Sequence, residues 1–105
     1  MILEIRVYQL HPGVRPAFHQ LFEDEIRPLS ARYDIDVVRA GPSVGDEDSY
    51  TLIRSFVSLE ARDKQKDAFY GGPEWLGGLE ERVMGMIAAY QTAVIVVDSA
   101  DDLRG

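Results

Sequence analysis

Ile2-Leu3-Glu4-Ile5-Arg6-Val7-Tyr8-Gln9-Leu10-His11-Pro12-Gly13, followed by the apolar series Val14, Phe18, Leu21, Phe22, Ile26 and Leu29, is the stretch that decides the fold. Its first nine residues supply β-branched and aromatic side chains and read as a strand that stops at the turn signal His11-Pro12-Gly13. The series that follows has the spacing of one helical face and predicts a helix of roughly four to five turns. Pro16 falls in the first turn, where proline is tolerated, and Pro28 is expected to kink or end the helix.

Working outward, Asp36 to Ala40 reads as a second strand. Gly41-Pro42 and the acidic Gly45-Asp46-Glu47-Asp48 then lead into a third strand, Tyr50 to Val57, making a hairpin with a loop of several residues. Ser58 is a good N-cap for a helix reaching about Tyr70, with Glu60 in its first turn. Gly71-Gly72-Pro73 interrupts it. A further helix begins at Pro73, with Leu76, Leu79, Val83 and Ile87 as its expected buried face. Tyr90 or Thr92 to Val97 is a β-branched strand, and Ser99 to Gly105 a polar tail. The order β-α-β-β-α-β predicts an α+β, ferredoxin-like domain over residues 1–98, a four-stranded antiparallel sheet with helices on one face.

At 105 residues the chain suffices for one two-layer core, and 46% hydrophobic with 28% charged residues is a globular composition. A net charge of −7 and no cluster of Lys and Arg exclude a nucleic-acid surface. The longest apolar run, Ala93 to Val97, is too short to span a bilayer, so no membrane span and a cytoplasmic location are expected. Without cysteine there is no disulfide, thiolate nucleophile or zinc–thiolate site. No internal repeat is present.

Alternate residues of a strand face opposite sides. On the first strand Leu3, Ile5 and Val7 form the apolar set expected beneath the helices, leaving Ile2, Glu4, Arg6, Tyr8 and Leu10 on the open face. On the third strand the sets are Thr51, Ile53, Ser55 and Val57 against Tyr50, Leu52, Arg54 and Phe56. An open face bearing Tyr8, Leu10, Leu52, Phe56 and one side of the last strand is too apolar for a monomer, which predicts a homodimer packed sheet to sheet. Glu4, Arg6 and Arg54 would then lie inside that assembly and need partners.

The segment Leu3 to Gly13 with the Phe18 and Phe22 helix resembles the opening of the NIPSNAP family, a Tyr-Glu-Leu-Arg-Thr-Tyr type strand ending in Lys-Pro-Gly or Arg-Pro-Gly. Pro73-Glu74-Trp75 resembles that family's Pro-x-Trp segment. His11 departs from the usual Lys or Arg. The resemblance covers nearly the whole chain and implies a dimeric α/β-barrel, two sheets closing around a shared interior. That superfamily also contains cofactor-independent monooxygenases, haem-degrading enzymes, isomerase-like and structural members, so the fold does not fix the chemistry.

The candidate ligand-binding residues are Arg6, Tyr8, Tyr50, Arg54 and Trp75. An arginine and a phenol at the edge of a cavity can hold a carboxylate, enolate or quinone oxygen. The competing reading makes them a buried interface network, with Trp75 plugging the end of the barrel. His11 falls in a turn, and His19 with Glu23 has the spacing of a surface pair, so no metal is expected. The acidic loop lacks the pattern of a calcium site, and the glycine segments lack that of a phosphate cradle. The resulting expectation is a NIPSNAP-like homodimer of unassigned activity that binds a small apolar or aromatic molecule in an enclosed cavity, with no cofactor. The alternatives are a cofactor-independent monooxygenase or isomerase, and a structural interaction module with a filled interior.

Overall fold

The computed structural model describes residues 1–98, so the expected tail, Ser99 to Gly105, lies outside the described residues. Strand β1 is Ile2–Leu10, β2 Asp36–Pro42, β3 Ser49–Phe56 and β4 Ile87–Val96. They form a four-stranded sheet ordered β2-β3-β1-β4, with every pairing antiparallel. The ferredoxin-like α+β fold expected from the element order is the fold observed.

Helices α1 (Arg15–Leu21) and α2 (Arg27–Arg32) are joined by a π-helical turn, Phe22–Ile26, so one helix runs on past Pro28. Pro28 has no N–H, and its ring presses on the carbonyl four residues back. The wider turn, in which the Arg27 N–H bonds to the Phe22 carbonyl, gives that ring room and spares the helix. The expected interruption is therefore a local widening.

Helix α3 (Leu59–Tyr70) is capped as expected, Ser58 Oγ accepting from the Ala61 N–H at 3.0 Å. It ends at Gly71, where an added Cβ would lie 2.8 Å from the Asp67 carbonyl oxygen. Because that neighbour is backbone, Gly71→Ala is expected to destabilise the chain by about 1–3 kcal/mol, the usual range for overpacking, as read by chemical denaturation. After Pro73 a second π turn, Trp75–Leu79, leads into α4 (Glu80–Met84). Gly78 sits at φ 140°, a conformation open to glycine, and this shifts the phase of the expected apolar face. Trp75, Leu79 and Val83 turn inward while Leu76, expected in the core, is 62% exposed. Ile87 is buried but opens β4 instead of closing the helix.

The sheet presents the opposite parity to the one expected. Residues paired directly across antiparallel strands share a face, which groups Ile2, Glu4, Arg6 and Tyr8 with Phe56, Arg54, Leu52 and Tyr50. The helices cover this set. Tyr8, Leu10, Tyr50, Leu52 and Phe56 pack with Phe18, Leu21, Phe22, Ile26 and Leu29 in one core, and Tyr8, Phe18, Tyr50 and Phe22 form a chain of ring contacts. Each fully buried aromatic here contributes about 1.5–3 kcal/mol over an exposed one. The supposed dimer patch is thus the core of one chain. Ile5, Val7, Ile53 and Ile95 occupy the open face instead, and Leu3, on the same side by parity, is fully buried. The reason is volume: the large helical side chains need large partners, and the charges on that face are paired from elsewhere.

The acidic loop is a structured turn at the surface. Asp46 accepts from the backbone N–H groups of Asp48 and Ser49 at 2.8 and 2.7 Å, and Arg15 donates to the carbonyls of Ser43, Asp46 and Ser49.

Candidate functional site

The helix-covered face carries a buried charge cluster beside a cavity. Glu4, 0% exposed in the first half of β1, accepts from Arg54 Nε at 2.9 Å and again from Arg54 Nη2. It also accepts from Arg62 Nε at 2.8 Å and Lys66 Nζ at 3.0 Å, while Arg6 stands 3.7 Å away. Arg62 and Lys66 lie one helical turn apart on α3, so both cations descend from one face of it. Burial pushes the Glu4 carboxyl up, but Arg54, Lys66 and Arg6 more than reverse this and hold it at about 2.

Tyr70, at the end of α3, receives two guanidinium donors: Arg54 Nη1 at 3.1 Å and Arg6 Nη1 at 3.4 Å. Burial works to raise its phenol, and the charges of Arg54 and Arg6 outweigh burial and lower it. For Tyr8 the balance falls the other way, and burial raises the phenol despite Arg6. Burial also lowers the Lys66 ammonium against the pull of Glu4. One fold thereby separates two neighbouring phenols by environment.

A cavity of about 360 Å³ opens between β1, β4, α3 and α4, lined by Arg6, Tyr8, Lys66, Tyr70, Trp75, Glu80, Val83, Met84, Ile87 and Tyr90. Its walls are aromatic and aliphatic, and its charged groups are the cations Arg6 and Lys66 and the carboxylate Glu80. Trp75 Nε1 donates to Glu80 at 2.8 Å, and the Trp75 ring meets Tyr70 edge-on, with centroids 5.0 Å apart. The Arg6 guanidinium stacks over the Tyr90 ring at 5.0 Å and bonds to Thr92 through Nε. A larger groove, about 720 Å³, runs past Asp24, Glu25, Arg32, Glu74 and Arg82. Arg82 there is paired with Glu25, and Glu74 accepts from Tyr33.

Of the residues expected at a site, Arg6, Tyr8 and Trp75 line the cavity between sheet and helices. Trp75, 7% exposed, is a wall of the cavity. Arg54 sits behind it, joining Glu4 to Tyr70. Tyr50 is elsewhere, fully buried against Phe18 and Phe22 with its hydroxyl 2.7 Å from His19 Nδ1, and burial pushes its phenol up to about 12. The pairing expected for His19 is replaced by this contact, and Glu23 pairs with Arg27 at 2.9 Å. Lys66, Tyr70, Arg62 and Tyr90 were missed. The available signal was the repeat of Arg62, Lys66 and Tyr70 at four-residue intervals on α3, a helix with no apolar stripe to bury. Among the described residues no group of three or more His, Asp or Glu could hold a metal, and no helix is long and apolar enough to cross a membrane.

Comparison with solved structures finds the same fold. An uncharacterized NIPSNAP domain protein from Burkholderia xenovorans superposes with TM-score 0.84 at 17% identity, over 95% of this chain and 97% of that one. A NIPSNAP family protein of unknown function from Agrobacterium tumefaciens gives TM-score 0.81 at 25% identity, over 95% and 92%. SnoaB from Streptomyces nogalater, a cofactor-independent oxygenase, gives TM-score 0.68 at 14% identity, over 94% of each chain. No curated protein matches. The NIPSNAP family profile matches residues 3–99, nearly the whole chain, and with the sheet order, the Pro73-Glu74-Trp75 segment and the neighbouring structures in agreement, this chain belongs to the NIPSNAP family.

Proposed function

We propose that the protein is a homodimer in which each subunit binds a small aromatic or apolar molecule bearing an acidic oxygen in the cleft between sheet and helices. The cavity carries this reading: Tyr8, Tyr70, Trp75 and Tyr90 offer ring faces, and Arg6 and Lys66 place positive charge at one end. Its volume falls in the range of small-molecule sites. The dimer reading is supported by the open face, where Val7 is 43% and Ile95 42% exposed with half-buried Ile5 and Ile53, apolar side chains interspersed with Thr51 and Gln91 that a second copy would cover.

Trp75 is the one tryptophan, so its fluorescence reports the cavity directly. Titration with 2-naphthoate is expected to give a saturable change. Arg6→Ala should weaken binding about 10- to 100-fold, the effect of a charge-assisted hydrogen bond, with the oligomer unchanged. Absence of saturable binding by the wild type would overturn the reading. A second reading, a cofactor-independent oxygenase or isomerase, is favoured by the Tyr70 phenol set between two guanidiniums at the cavity wall, and by the fold shared with SnoaB.

A further inference from the structure

We infer that Tyr70 is the cavity's proton acceptor, held as a phenolate between Arg6 and Arg54 and taking a proton from an acidic O–H or activated C–H of the bound ligand. The inference rests on the proposed ligand site and assigns its chemistry.

The geometry carries it. Arg6 and Arg54 can only donate, and both aim at the Tyr70 oxygen. The phenol is thus used as an acceptor twice, and a negative oxygen accepts such bonds more strongly than a neutral one. Around it the charge is unbalanced. Arg6, Arg54, Arg62 and Lys66 surround one buried carboxylate, Glu4, so four cations face one anion. The exposed Asp63 reaches Arg62 at 3.7 Å from the outer side, and Glu80 at the rim is engaged by Trp75. A phenolate at Tyr70 answers part of the surplus from inside the cluster. The direction in which Arg54 and Arg6 drive this phenol agrees, and Tyr8, which burial keeps protonated, serves as the neutral partner across the cavity.

The step balances without a further reactant. The ligand's O–H or C–H bond breaks, its electron pair stays on the ligand, and the proton forms the Tyr70 O–H bond. Negative charge moves from Tyr70 to the ligand while remaining beside Arg6, so the donors already in place stabilise the product anion with little reorganisation.

The test uses 4-nitrophenol, a weak acid whose anion is coloured, with binding followed independently by calorimetry. In the ligand-free wild type one of the five tyrosines is expected to ionise ahead of the other four in the ultraviolet tyrosinate band, and that step should vanish in Tyr70→Phe, which keeps the ring. On binding, the wild type should turn the probe to its coloured anion and lose tyrosinate absorbance in equal amount. Tyr70→Phe should bind it colourless. No early tyrosinate in the wild type, a bound probe that stays neutral, or equal colour in Tyr70→Phe would each overturn the proton acceptor while leaving the ligand site standing. No calorimetric binding to the wild type would overturn the ligand site itself.

Discussion

Replacing Glu4 with Gln is expected to cost about 3–5 kcal/mol of folding stability, the range seen when one partner of a buried ion pair is removed. Arg54 is buried, and Arg6, Arg62 and Lys66 are largely so. All four converge on the Glu4 carboxylate. Without its charge they repel one another in a medium that screens poorly. The glutamine amide can accept from one of them and neutralises none. The pH dependence has a definite sign. The Glu4 carboxyl is lowered from an ordinary 4.5 to about 2, so its contribution is fully present above about pH 4.5 and is lost as pH falls toward 2. A shift of that size corresponds to about 3 kcal/mol. Denaturation of wild type and Glu4→Gln at one chain concentration should show a gap that closes across this window. A gap that does not depend on pH would mean that the carboxylate is not the counter-ion of the cluster.

The second large effect concerns assembly. Val7→Lys combined with Ile95→Lys is expected to turn the proposed dimer into a monomer, weakening association at least about 100-fold, because two ammonium groups per chain would be desolvated against an apolar partner face. Both positions are more than two-fifths exposed in the single chain, so the fold should survive, as far-ultraviolet circular dichroism would report. Sedimentation velocity reads the outcome. A wild type that sediments as a single chain, or a variant that still sediments as the wild type does, would place the assembly elsewhere or remove it.

Much of this architecture is written in local pattern. The alternation ending at His11-Pro12-Gly13, the stripe through Phe18 and Phe22, the cap at Ser58 and the break at Gly71-Gly72-Pro73 each sit close to where the structure places them. What local pattern does not carry is which side of the sheet the helices cover. Leu3, Ile5 and Val7 look like a core face and Glu4 and Arg6 do not, because the groups that neutralise Glu4 lie 50, 58 and 62 residues away in sequence. A charge is foreign to a core only until its partners are counted, and those partners meet only in the fold. The site followed the same course. Arg6, Tyr8 and Trp75 could be singled out from one strand and one helix start, whereas the four-residue repeat of Arg62, Lys66 and Tyr70 gains its meaning only where α3 meets the sheet. Tyr50 shares a face with Tyr8, but Phe18 and Phe22 close over it.

Placing the cavity between sheet and helices, on the face opposite the proposed dimer surface, is what distinguishes this account from a barrel with a shared interior. The most direct measurement is the 2-naphthoate titration repeated on the monomeric Val7→Lys, Ile95→Lys protein. Binding within about twofold of the wild type is the predicted result, since the cavity lies between the sheet and helices of a single fold. Loss of binding together with the dimer, in a monomer that remains folded, would contradict it and return the site to the interface.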